Sequence, residues 1–288
     1  MLKVVFKFVF LSFLLIACAC SKEELNTIGG NTAPIDSTIS NNTKINYINK
    51  IYIKLLDRKA DSTEFNSALS LLNENPGSQS KRKEVLNLVI ANSEYSHVLW
   101  KNIRGLLLDG HDTTDINSVY TDLKDDWSTA TGASKEALEY EWKRMEFILN
   151  GAEKLSSETM TWEELQEAAC NNYIYDDINM GSENFVVSVF QSLLNRYPTI
   201  EELESSKDMI NGRSAVLFLQ PGSTKDDFLD IFFSTRSYYE GQVALLFNDN
   251  IFRSPTSSEL ILYTNYYIEN DNYESLLLEI LSSPVYFN

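Results

Sequence analysis

The chain has 288 residues, 43% of them hydrophobic, enough for a substantial core, and its 11 Gly and 6 Pro are too few for the turns of an all-β sandwich. Its 24 basic and 41 acidic residues give a net charge of −17, a surface that repels phosphate backbones, so no nucleic acid is expected among its partners. Helix is the fold class that this composition leaves.

Residues 1–17 place Lys3 and Lys7 ahead of an apolar run too short to span a bilayer comfortably, the pattern of a secretory signal peptide. The run closes on Leu15-Ile16-Ala17-Cys18, which resembles a bacterial lipobox, where cleavage precedes a cysteine that carries a diacylglyceryl thioether. Cys20 is the alternative site of lipidation. Cys18 is favoured because Leu15 suits the position three places upstream better than Ala17 does. Ser21-Lys22-Glu23-Glu24 resembles the export tag of surface-exposed lipoproteins of some Gram-negative bacteria, and a solvated linker is the plainer reading. Removing residues 1–17 takes two lysines and no acids, leaving a charge of −19 that favours a body held off an anionic leaflet. Residues 18–43 are expected to hold the lipidated cysteine and a linker, in which residues 21–43, rich in Ser, Thr, Asn and Gly, suit a flexible span of about 25 Å.

From residue 44 one pattern recurs three times. Ile45, Ile48, Ile51, Tyr52, Leu55 and Leu56 form the apolar face of a helix that leads to Arg58, Asp61 and Glu64. Phe185, Val186, Val189, Phe190, Leu193 and Leu194 lead in the same way to Arg196, Pro198, Thr199 and Glu202, and Phe247 leads to Arg253, Pro255, Thr256 and Glu259. Each arginine is expected to meet the last carbonyls of the preceding helix. Asp61, Thr199 and Thr256 are expected to cap the next helix, with Glu64, Glu202 and Glu259 completing capping boxes. The copies close on Tyr95, Tyr238 and Tyr286, which lie 37, 42 and 33 residues beyond their arginines, so the length variation falls in an internal loop. The expected fold is all-α, a helical repeat domain of helix-corner-helix-loop-helix units at about 44–100, 183–240 and 241–288.

The pattern resembles the short helical repeats of phycobilisome linkers and related repeats of bacterial surface proteins, which run aromatic, Leu-x-x-Arg-x-Pro, and end near Ser-x-x-Tyr. The likeness covers about residues 44–100 and 183–288 and implies an assembly module more than an activity. It departs at the glycine usual before the arginine, replaced here by Asp57, Asn195 and Phe252, so a different corner geometry is expected.

Between the first two copies, residues 101–180 read as a helical insert. Leu138, Trp142, Met145 and Leu149 share one helix face, and Thr161 with Glu164 forms a further capping box. Residues 106–116 fit a repeat corner poorly. Asp109-Gly110-His111-Asp112-Thr113-Thr114-Asp115 lacks the order of a calcium loop and reads as a capped turn.

Chemistry is thinly represented. His97 reads as a surface residue, Cys170 as a small buried hydrophobe, and Glu163/Glu164, Asp176/Asp177 and Asp226/Asp227 as solvated faces. There is no nucleophile elbow, phosphate-cradling loop or dinucleotide fingerprint, and no cofactor, metal or catalytic residue is expected. Aromatic faces at Tyr173/Tyr175, Tyr238/Tyr239, Tyr263 and Tyr266/Tyr267 are candidates for meeting a sugar or a protein, although Tyr52, Tyr95, Tyr238 and Tyr286 suit the core. The expectation is a lipid-anchored outer-membrane protein facing the cell exterior, a non-catalytic docking or scaffold module. Its partners would be the membrane, through the lipid, and another envelope protein; the alternative is a glycan-binding accessory lipoprotein.

Overall fold

The computed structural model describes residues 39–287. The expected signal peptide, Cys18, Cys20, the Ser21–Glu24 cluster and most of the expected linker lie outside the described residues. The first helix, α1 (Asn41–Leu56), starts three residues inside the expected linker because the Ser40 hydroxyl accepts from Thr43 N–H and caps it.

The chain is all-α. After α1 come α2 (Ser62–Glu74), α3 (Gln79–Ile90), α4 (Glu94–Leu107), α5 (Thr113–Thr129), α6 (Ala133–Ile148), α7 (Gly151–Ser156), α8 (Trp162–Cys170), α9 (Tyr173–Ile178), α10 (Ser182–Leu194) and α11 (Ile200–Ile210). A two-stranded hairpin, β1 (Ala215–Leu217) and β2 (Gln220–Gly222), precedes α12 (Lys225–Phe233), α13 (Arg236–Ile251), α14 (Ser257–Asn270), α15 (Tyr273–Leu281) and α16 (Pro284–Phe287). The hairpin is the one element type that the sequence reading lacked. It sits in the internal loop of the second copy and accounts for that copy's greater length.

Two apolar cores divide the body. One joins Tyr47–Leu99 of α1–α4 to Val243–Phe287 of α13–α16, so the beginning and the end of the helical body share an interior. The other, from Trp100 to Tyr238, fills the space between the insert and the second copy. Helices α4 and α13 belong to both: Leu99 and Val243 face the first core, Trp100 and Tyr238 the second. Helix α13 crosses α10 at Gly241, where a Cβ would lie 2.3 Å from the carbonyl oxygen of Leu193; only glycine permits that approach.

Copy one clasps the chain end. Arg82, 2% exposed, donates from Nε to the Ser282 carbonyl at 2.6 Å and lies over the Phe287 ring, while Lys50 donates to the Tyr286 carbonyl at 2.8 Å. Tyr47 meets both Tyr286 and Phe287 edge-on. In the insert, Met145 is fully buried, and Leu138, Trp142 and Leu149 pack against the second core. Asp112 and Asp115 form a capping box at the start of α5, so the Asp109–Asp115 segment is a capped turn. Cys170 is buried and unpaired by disulfide, and His97 is exposed.

Candidate functional site

The eight corner residues come together in three separate corners of one design. Arg58 forks onto Glu64, with Nη1 to Oε2 at 2.7 Å and Nη2 to Oε1 at 2.8 Å. Arg196 grips Glu202 at 2.8 and 2.7 Å, and Arg253 grips Glu259 at the same two distances. Each glutamate Oε2 also accepts the backbone N–H of the cap residue: Asp61 at 2.8 Å, Thr199 at 2.7 Å and Thr256 at 2.8 Å. The Asp61, Thr199 and Thr256 side chains accept in return from Glu64, Glu202 and Glu259 N–H.

The arginines therefore point forward. They were expected to cap the helix behind them; instead each holds the helix ahead and donates to the carbonyl of the very next residue, Lys59, Tyr197 or Ser254. A planar fork matched to a carboxylate, with two bonds at once, outweighs the diffuse pull of a helix C-terminus. Arg196 and Arg253 also lie over Phe190 and Phe247, the recurrent aromatics one helix back.

The residue before each arginine is left-handed in all three copies: Asp57 (φ 57°), Asn195 (φ 53°) and Phe252 (φ 58°). Each corner thus holds a residue with a Cβ in a conformation that glycine adopts freely, at a cost of roughly 1–2 kcal/mol, eased for Asp and Asn by their short polar side chains. Arg58 hydrogen bonds hold Glu64 down to about 2, and Arg253 does the same for Glu259. Burial opposes ionisation of Glu202, but Arg196 and Thr199 N–H outweigh it and its carboxyl is also lowered. These corners have the geometry of braces: both terminal nitrogens of each guanidinium and both oxygens of each glutamate are engaged by neighbours within the corner.

The carboxylate pairs are not simply solvated faces. Asp176 receives Arg144 at 3.0 Å and Lys225 at 2.5 Å, Asp227 caps α12, Glu164 caps α8, and Glu163 accepts the Tyr267 hydroxyl. The tyrosine faces change as well. Of the seven proposed, Tyr173 alone is exposed, the rest being half-buried or buried. Among the described residues no group of three or more His, Cys, Asp or Glu side chains is placed to hold a metal ion.

What the surface does present is a ridge at the second corner. Phe218 stacks on Phe190, whose ring lies under the Arg196 guanidinium, so the hairpin tip sits beside that corner. Phe218 and Leu219, the two residues between the paired Leu217 and Gln220, both have positive φ, 48° and 66°. Such turns ordinarily take Asn-Gly, and two large apolar residues there are strained. Leu219 is 96% exposed, Ile200 84% and Tyr197 68%. No family model, curated protein or solved structure matches the chain. No helix among the described residues is long and apolar enough to cross a membrane.

Two of the clefts among the described residues exceed 500 Å³. One, of about 560 Å³, opens between α1, α4, α8, α13 and α15 where the two cores meet. The other, of about 510 Å³, is lined by Tyr140, Phe147, Arg144, Glu164, Glu167 and Asn171 among others. Burial, with Asp230, Asp226 and Glu164 nearby, pushes the Glu167 carboxyl up to about 7.

Proposed function

We propose that the chain is a lipid-anchored protein of the outer membrane, held through Cys18 or Cys20 and facing the cell exterior, whose helical body is a non-catalytic docking module for another envelope protein. The observation that carries this reading is the strained tip. Holding Phe218 and Leu219 at positive φ costs on the order of 1–3 kcal/mol each, and Leu219 is left in water at the hairpin tip, while Tyr197 and Ile200 of the corner that Phe218 packs near, through Phe190, are also exposed. Apolar side chains exposed together against a rigid corner are the makings of an interface centre, with Tyr197 as its aromatic anchor. The braced corner gives that centre a fixed backbone, which lowers the ordering cost of association. The resemblance to linker-type helical repeats supports the same reading.

The test is recovery of partners from cells carrying a tagged, full-length, membrane-anchored form. A near-stoichiometric envelope protein is expected; recovery of the chain alone would contradict docking. The glycan alternative is favoured by the second cleft, where Tyr140 and Phe147, 46% and 52% exposed, flank carboxylates and the Asn171 amide. Addition of envelope polysaccharide would then shift the intrinsic fluorescence.

A further inference from the structure

The three corners differ along one edge of the guanidinium. In the first, Arg58 Nε donates to Glu94 Oε2 at 2.7 Å, so the fork is closed by a second carboxylate, carried on the first residue of α4. Arg196 and Arg253 grip Glu202 and Glu259 through their terminal nitrogens in the same way, yet the Nε of each donates to nothing among the described residues. That edge is in water. Both arginine side chains are 39% exposed, and neither Nε is sealed from solvent as those of Arg104 and Arg144 are.

The missing acceptor has its cause in the sequence. Glu94 stands immediately before the closing Tyr95, whereas the residues immediately before Tyr238 and Tyr286 are Ser237 and Val285, which carry no carboxylate. The flanks change with it. Arg58 lies between Asp57, which is paired with Lys101, and Lys59. Tyr197 follows Arg196 and is 68% exposed, and Phe252 precedes Arg253 and is 83% exposed. The corner that closes itself is flanked by charge; each corner left open is flanked by an exposed aromatic ring.

A guanidinium N–H can only donate, and a carboxylate that meets it makes a charge-assisted bond about twice as strong as a neutral one. Elsewhere on a chain of net charge −17 an approaching carboxylate meets mostly repulsion, which makes an open arginine a selective place for it. Tyr197 and Ile200 offer apolar contact in the same corner, which suits an acidic side chain within a protein segment better than a free anion.

We propose that Arg196 Nε takes an Asp or Glu carboxylate of the docked envelope protein, in the place that Glu94 fills on Arg58. This rests on the docking reading given above and names the group that the partner presents.

The test uses the full-length, membrane-anchored protein with Tyr197→p-benzoylphenylalanine as a photoreactive reporter of what lies against the corner, alone and combined with Ser237→Glu or Ser237→Gln. Ser237→Glu supplies the carboxylate from within, as Glu94 does in the first copy. It is expected to raise Tm relative to Ser237→Gln by closing the corner, and to lower the yield of photolinked envelope protein about tenfold, the loss of one charge-assisted bond. Ser237→Gln is expected to leave that yield unchanged. A yield undiminished by Ser237→Glu would overturn the proposal while docking stands, and an equal Tm for the two variants would do the same by denying that the corners are equivalent. A loss of yield as large with Ser237→Gln, or a link to a saccharide or to a second copy of this chain, would overturn it as well. Absence of any link would take the docking reading down with it.

Discussion

Phe252 is the residue at which the corner pays most for its shape. It is left-handed at φ 58°, 83% exposed, and has neither the carboxylate of Asp57 nor the amide of Asn195 to ease that conformation. Phe252→Gly is expected to stabilise the protein by about 1 kcal/mol, raising Tm by about 2–4 °C, because glycine visits the left-handed region freely. A calorimetric scan that shows no gain would mean that the exposed ring has a stabilising contact elsewhere. Titration divides the carboxylates by sign. Glu64 and Glu259, held at about 2, lend stability above the ordinary carboxylate range and lose it as pH falls toward 2. Glu167 does the opposite: with its carboxyl pushed up to about 7, its charge opposes folding above that pH, and the burden lifts as pH falls toward 4.5. Denaturant melts from pH 8 to pH 5 are expected to show the wild type gaining about 1–2 kcal/mol over Glu167→Gln, once solvent screening is allowed for. Parallel curves would refute the burial of that charge.

At the scale of elements, each corner couples two helices through one arginine, one glutamate and one cap. Arg196→Ala removes the fork, frees Glu202 and weakens the start of α11, so a loss of about 1–2 kcal/mol and a fall of about 3–6 °C in Tm are expected. An unchanged Tm with lost partner recovery would turn Arg196 from a brace into a binding group. The parts of these corners fixed by local chemistry were legible in the sequence: Thr199 and Glu202 three apart at a helix start form the capping box that their spacing implies. The forward reach of Arg196 was not, because a cation after a helix has two possible partners and only the three-dimensional corner brings Glu202 into line. The left-handed residues were missed for a related reason. Sequence marks that conformation with glycine, and Asp57, Asn195 and Phe252 hold it because the corner around them leaves no other path. The hairpin went unread since Phe218-Leu219 is the reverse of a turn dipeptide.

For the whole molecule, the decisive arrangement is between segments far apart in sequence. Residues 47–99 and 243–287 share one core, residues 100–238 fill another, and α4 and α13 tie them together. Helical periodicity shows which face of each helix is apolar but not which distant face covers it, so Arg82 meeting Ser282 and the cleft at the junction were beyond a one-dimensional reading. The same arrangement separates what braces from what is offered outward. The buried tyrosines Tyr52, Tyr95, Tyr238 and Tyr286 serve the interior, whereas Tyr197 and Ile200 at the second corner and Leu219 at the strained turn stand in water. Leu219→Gly tests most directly whether that strain is kept for docking, read as Tm together with partner recovery from the membrane-anchored form. Relief of the left-handed strain is expected to raise Tm by about 2–4 °C while partner recovery falls. A raised Tm with undiminished recovery would contradict the assignment of the hairpin tip as the docking face.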